Sequence, residues 1–207
     1  MLVLELWRGE ELGKKTELVK TVEKEAFKKL VFGEDIQRYN IAQSGKFINP
    51  TDVGKGDKYF RKKIALRQLG EHITAALDVN GEYVTLQSTY NIVPTVSAEY
   101  LLGVLNSKLV DWYYQKLFKE KEIFPRILLE NIKILPIIEP VNPEQKKLAN
   151  KIAKLVTGII TAYNRQVVSA VDCSKEIAEL DDEINSLVFE LYGITDEERK
   201  TIGKAAG

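Results

Sequence analysis

Three stretches decide the expected fold: GEDIQRYNI at residues 33–41, YLLGVLNSKLVDWYY at residues 100–114 and FPRILLENIKILPI at residues 124–137. The second stretch repeats apolar residues at helical spacing. It predicts helices over residues 98–105 and 108–117, the first of them capped by Ser97. The third stretch is rich in Ile and Leu, stops at Pro136 and favours β-structure. Together these signals predict an α+β fold.

The order and spacing of these stretches carry a family resemblance. With WRGEELGK at residues 7–14 before them and NPEQKKLANKIAKLV at residues 142–156 after them, they resemble the C-terminal specificity domain of TaqI-like adenine-specific DNA methyltransferases and related single-chain type II restriction-modification enzymes. The last stretch is similar to the spacer helices of type I specificity subunits. The resemblance implies a mixed β-sheet target-recognition domain that binds double-stranded DNA. It also implies a partner, a methyltransferase or restriction catalytic domain or subunit, where S-adenosylmethionine would bind, so no cofactor is expected in this chain.

Further strands are expected between the first two stretches. KKIALRQL at residues 62–69 reads as a strand with Arg61, Lys63 and Arg67 on one face, a geometry that could face DNA. The turn Asn80-Gly81 between ITAALDV and EYVTLQS predicts a two-residue β-hairpin, because both turn positions need positive φ. The polar run at residues 16–29 favours a helix.

The C-terminal region predicts an antiparallel helical hairpin. Asn142 caps a helix that has Pro143 at its first position, and apolar seams with heptad-like spacing predict two helices joined near residues 168–173. We therefore divide the chain into a DNA target-recognition domain, residues 1–138, and a helical spacer or docking region, residues 139–207. Deletion from Asn142 onward is expected to spare the recognition fold but to disturb solubility or assembly. The apolar seams are wider than two helices need, which predicts contact with the recognition domain, a catalytic domain, or a second copy in a homodimer through the C-terminal helices.

Charge is distributed unevenly along the chain. Thirty basic and thirty acidic residues cancel, yet residues 46–67 hold seven basic residues against two acidic ones, a local charge of plus five. Residues 172–198 hold ten acidic residues against Lys175 alone. One cysteine and one histidine leave no His/Cys metal cluster. No apolar run is long enough to span a membrane or serve as a signal peptide, so we expect a cytoplasmic location.

Several basic residues are candidate DNA contacts. The density of charge predicts phosphate contacts, and Arg67 is the candidate for reading a base, since Arg binds guanine by paired hydrogen bonds. Strand alternation puts Gln68 on the opposite face, so at most one of the two reads bases from this strand. Arg38 either touches the DNA backbone or forms a structural ion pair with Asp35. The predicted DNA-binding set is Arg38, Lys55, Lys58, Arg61, Lys62, Lys63 and Arg67.

Catalysis by this chain is not expected. Adenine methylation needs an acidic or amide side chain followed by Pro-Pro and an aromatic residue, and the sequence contains no Pro-Pro and no Gly-rich methyl-donor loop. The first interpretation is therefore the DNA recognition module of an adenine methyltransferase. A free-standing subunit similar to type I specificity subunits is an alternative. A protein-interaction module without DNA binding is another.

Overall fold

A computed structural model describes residues 3–13, 15–118 and 126–205. The fold is α+β, as predicted. The strands are β1 (Val3–Arg8), β2 (Lys28–Val31), β3 (Ile36–Gln37), β4 (Asn40–Ile41), β5 (Phe47–Ile48), β6 (Lys63–Arg67), β7 (Ala75–Asp78), β8 (Tyr83–Thr85) and β9 (Thr89–Pro94). The α-helices are α1 (Ala98–Leu105), α2 (Lys108–Phe118), α3 (Leu129–Lys133), α4 (Pro143–Ser169), α5 (Ser174–Leu191) and α6 (Asp196–Ala205).

A four-stranded antiparallel sheet, in the order β1-β9-β6-β7, forms the centre of the molecule. A mixed sheet, in the order β5-β2-β8, and the small pair β3-β4 lie beside it. Both faces of the central sheet are covered. Ile64 and Leu66 pack with the helices, whereas Ala65 packs with β2 and β3 residues such as Val31. A row of basic side chains on a face of β6 therefore cannot face DNA, except at the ends of the strand.

The predicted Asn80-Gly81 hairpin is wrong. β7 pairs with β6 in the central sheet, whereas β8 pairs in parallel with β2 in the other sheet. Gly81 has φ +68°, but Asn80 is not among the residues with positive φ, so the turn that closes a two-residue hairpin is not formed. Gly81 is instead required by a close approach, because a Cβ atom there would lie 2.3 Å from the backbone nitrogen of Arg61.

Two other local predictions also fail. Residues 16–29 form no α-helix: a short 3₁₀ turn, Thr16–Leu18, is followed by a bridge between Lys20 and Phe47, and β2 begins at Lys28. Pairing of β2 with both β5 and β8 buries Leu30 and outweighs the helix propensity of the polar run. The predicted β-structure at residues 124–137 contains a helix, α3, and one bridge between Arg126 and Leu69. The first two residues of that stretch and Lys14 lie outside the described residues.

The helices predicted near residues 98–117 and in the C-terminal region are present. The Ser97 hydroxyl accepts a hydrogen bond from the backbone nitrogen of Tyr100 and caps α1. Asn142 caps α4 through the backbone nitrogen of Gln145, with Pro143 at the first helical position. α4 and α5 form the predicted antiparallel hairpin, and Thr195 caps α6.

The helical hairpin shares its core with the recognition region. A Cβ atom on Gly103 of α1 would lie 2.6 Å from Cγ2 of Ile152 and 3.1 Å from Cγ2 of Val156, so α1 and α4 are in close contact. Val156 and Val188, which widen the apolar seams, are fully buried in the cluster that also holds Ile64. Contact with the recognition region accounts for that width. The boundary at residue 139 stays a prediction.

Candidate nucleic-acid interface

Lys63 lies in the interior of the protein, contrary to the expectation that it contacts DNA. Its side chain is fully buried, and its Nζ donates hydrogen bonds to the Asp78 carboxylate and, over 2.7 Å, to the Tyr59 carbonyl oxygen. The same carboxylate accepts hydrogen bonds from the backbone nitrogens of Glu82 (2.9 Å) and Tyr83 (3.1 Å). Burial lowers the pKa of Lys63, and the Asp78 carboxylate opposes that shift. Lys63 therefore joins β6, β7 and β8 and cannot reach a phosphate.

Arg38 is also held by internal contacts. Its guanidinium donates to both carboxylate oxygens of Asp181 on α5, each over 2.6 Å, and to the carbonyl oxygen of Asn106. The Tyr39 hydroxyl donates to the same carboxylate over 2.8 Å. The structural ion pair considered from the sequence thus exists, but its acid is Asp181 and not Asp35. Residues 33–41 fasten the helical hairpin to the recognition region.

The segment before β6 that carries Lys55, Lys58, Arg61 and Lys62, here the basic loop, is largely neutralised by acids of the same chain. Glu5 lies 2.5 Å from a guanidinium nitrogen of Arg61 and 3.6 Å from Nζ of Lys58. Its hydrogen bond from Arg61 contributes most to lowering the pKa of Glu5, although burial acts in the opposite direction. Lys55 lies 3.7 Å from Glu10, and Lys62 is paired with Glu99. A phosphate that approaches this loop meets cations that already have partners, although the Lys58 side chain remains 56% exposed.

Arg67 differs from the other six predicted contacts. It forms no ion pair with any residue that the structure describes. Its Nε is buried without a hydrogen-bond partner, as is Nε of Arg61. Its neighbour Gln68 is buried and donates to the Tyr90 hydroxyl over 2.7 Å. The alternation expected from the sequence is therefore present, and Arg67 is the one of the two that remains available for a base.

Two arginines outside the predicted DNA-binding set lie at the same end of the central sheet as Arg67: Arg8, which no sequence signal selected, and Arg126, whose role the sequence left open between packing and contact. Arg8 pairs in register with Tyr90, next to the Arg67–Thr89 pair, and its Nε donates to the Gln87 carbonyl oxygen over 2.7 Å. Arg126 is bridged to Leu69, two residues beyond Arg67. Arg8, Arg67 and Arg126 will be called the arginine end. Arg8 and Arg126 lie outside the basic segment at residues 46–67, and strand register and the Leu69–Arg126 bridge bring them to the end of the sheet that carries Arg67.

Other candidate residues have structural roles or simple surface positions. Trp112, Tyr113 and Tyr114 pack in or against the core. The exposed His72 contacts Asp111 through Nδ1 over 2.7 Å. Within the described ranges, no cluster of His, Cys, Asp or Glu is arranged to hold a metal ion. None of the helices in the described part of the chain is long and apolar enough to cross a membrane.

A family model matches the chain over residues that include most of the sheet and the first three helices. The model of the TaqI-like C-terminal specificity domain matches residues 28–137, which is more than half of the chain. The matched range includes β2 to β9, α1 to α3, and both Arg67 and Arg126. No curated protein matches the chain. The chain belongs to the family of TaqI-like C-terminal specificity domains.

Proposed function

We propose that this chain recognises a specific sequence in double-stranded DNA and positions a separate catalytic domain or subunit of an adenine methyltransferase or restriction-modification system. Family membership supports target recognition. The observation that carries the site is the state of Arg67, which lies at the end of the central strand β6 without an acidic partner in the described residues. In this proposal the chain supplies binding and orientation, and its partner supplies the chemistry.

The proposed roles follow from what each cation already binds. Arg67 reads a guanine, because its guanidinium is not committed to an internal carboxylate. Lys55, Lys58, Arg61 and Lys62 contact phosphates from their exposed sides while keeping their internal partners. Arg38 and Lys63 take no part in DNA binding, since each is held inside the protein.

Selection from a pool of random duplexes tests recognition. The unsubstituted chain should enrich one sequence, and its affinity should fall as salt rises, since each neutralised phosphate contributes about 0.9 to the slope of log K against log salt. Recovery of no enriched sequence, even at low salt, would overturn the proposal and favour a protein-interaction module.

Two substitutions separate base reading from phosphate contact. Arg67→Ala should lower discrimination against a wrong base by about 1–3 kcal/mol. Lys58→Ala should weaken binding to all sequences about equally and reduce the salt slope by about 1. If Arg67→Ala leaves the ratio of specific to non-specific affinity unchanged, Arg67 does not read a base.

The resemblance to type I specificity subunits supplies a second arrangement, in which this chain is a free-standing subunit that docks separate catalytic chains. Measurement of the molar mass by light scattering, alone and with a candidate methyltransferase chain, distinguishes a stable complex from a domain that needs covalent linkage. Incubation of the chain alone with labelled methyl donor and duplex DNA should give no incorporation above a boiled control.

A further inference from the structure

The end of β6 and the segment at Arg126 form one continuous platform. Leu69 and Arg126 are paired by an antiparallel bridge, and the backbone nitrogen of Ile127 donates to the Gln68 carbonyl oxygen over 2.8 Å. The Tyr90 hydroxyl donates to the Ile127 carbonyl oxygen over 3.1 Å, and Gln68 donates to that hydroxyl. These bonds fix the backbone on both sides of Leu69. Side chains carried by this backbone are therefore held at defined spacing.

Three side chains of this platform face away from the core. Gln68 is buried, whereas its two neighbours along the chain are accessible: Arg67 is partly exposed and Leu69 is 41% exposed. Arg126 is exposed, and its bridge partner is Leu69. An apolar side chain thus lies beside two guanidinium groups that have no acid partner within the part of the chain described.

This combination matches the edges of base pairs. Arg pairs with the two acceptors of guanine in the major groove, and an apolar side chain contacts the methyl group of thymine. In a regular antiparallel sheet, diagonal cross-strand neighbours lie about 7–8 Å apart, and Arg67 and Arg126 hold such positions about the Leu69–Arg126 bridge. That distance is close to two rises of the duplex, at about 3.4 Å each. Two arginines at this spacing can reach guanines two base-pair steps apart.

We propose that Arg67, Leu69 and Arg126 form the base-reading surface of this domain, with Arg67 and Arg126 each specifying a guanine and Leu69 facing the position between them. This inference rests on the proposed function and adds the residues and the spacing of the readout. The opposite end of the sheet is a poorer candidate, because Lys58, Arg61 and Lys62 there are paired with acids.

The test uses the full chain and random-duplex selection, followed by affinity measurement on the selected site and its single-base variants. Arg126→Ala should lose preference at one position by roughly five- to 150-fold. Arg67→Ala should lose preference at a different position two steps away. Arg126→Lys keeps the charge but not the planar fork of donors, so it should retain most of the affinity and still lose that preference.

Arg165→Ala is the matched control, since Arg165 lies at the far tip of α4 and is paired with Glu176; it should change neither preference nor affinity. Thermal unfolding of Arg126→Ala should match that of the unsubstituted chain, because the Arg126 side chain has no partner in the described residues. The inference is overturned if Arg126→Ala leaves every position of the site as selective as before, or if it weakens all sequences equally and Arg126→Lys restores the affinity. Absence of any enriched sequence with the unsubstituted chain overturns the proposed function itself.

Discussion

Replacement of Lys63 by methionine should destabilise the protein without altering its choice of DNA sequence. Lys63 and Asp78 have side-chain exposures of 0% and 1%, so their ion pair is shielded from water. Methionine has a similar length and no charge, and it leaves the Asp78 carboxylate buried without its cation. Removal of one partner of such a pair costs about 3–5 kcal/mol. Asp78 keeps its hydrogen bonds from the backbone nitrogens of Glu82 and Tyr83, which favours the lower end of that range.

The size of the effect is measurable by urea denaturation and by calorimetry. A loss of about 3 kcal/mol lowers the melting temperature by about 6–12 °C in a protein of this size. Lys62→Met is the matched control. Lys62 is next to Lys63 in the sequence but is exposed, and its ion pair with Glu99 contributes about 0–1 kcal/mol. DNA selectivity, measured at a temperature where both variants are folded, should be unchanged in both.

A double substitution tests whether the cost comes from the isolated carboxylate. Lys63→Met with Asp78→Asn removes the buried charge but keeps an acceptor for the backbone nitrogen of Glu82, so it should cost less than Lys63→Met alone. The reasoning is refuted if Lys63→Met unfolds at the same urea concentration as Lys62→Met. It is equally refuted if Lys63→Met weakens DNA binding with no change in stability.

Three further predictions concern the helices. Gly103→Ala should lower the free energy of unfolding by about 1–3 kcal/mol, because the added Cβ atom would clash with Ile152. At Gly158 the added Cβ atom would lie 3.4 Å from Cδ1 of Leu180, so Gly158→Ala should raise the free energy of unfolding by up to about 1 kcal/mol. Urea denaturation compares the two variants. Arg38→Ala should cost about 1.5–3 kcal/mol, because it removes charge-assisted hydrogen bonds to α5, and it should not change the selected DNA sequence. Deletion of residues 142–207 should abolish cooperative unfolding and cause aggregation, since it exposes the face of α1 that packs on α4; a soluble fragment with a sharp melting transition would contradict this.

The helices could be predicted from the sequence because their signals are local. Ser97, and Asn142 with Pro143, mark helix starts within a few residues of the bonds that they make. Sheet pairing lacked such signals. The Asn80-Gly81 turn looks like a hairpin in isolation, yet β8 finds its partner in β2, more than fifty residues earlier. A turn motif restricts the chain locally and does not decide which strand will be paired beyond it.

The same limit on local signals applies to the candidate site, which stays a prediction. Charge density identified the region around β6, and the hydrogen-bonding chemistry of arginine favoured Arg67 as a base reader, but neither could show which cations are neutralised. The acids that pair with this region, Glu5, Asp78 and Glu99, come from other elements of the fold. Conversely, Arg8 and Arg126 lie outside the basic segment at residues 46–67. They come to the same end of the sheet as Arg67 through strand register and the Leu69–Arg126 bridge.

Internal pairing of the basic loop also bears on how a nearly neutral domain could select a sequence. Sequence-independent affinity grows with the number of phosphates neutralised, whereas base contacts set the difference between the right and the wrong site. A cation that already has a carboxylate partner gains less from a phosphate, because the new contact competes with the old one. Under the proposed function, internal ion pairs thus weaken phosphate binding by the basic loop but not base contacts by the arginine end. Non-specific affinity then falls more than the discrimination between right and wrong sites does. The ratio between specific and non-specific binding, which decides how a protein finds one site among many, then rises at the expense of total affinity.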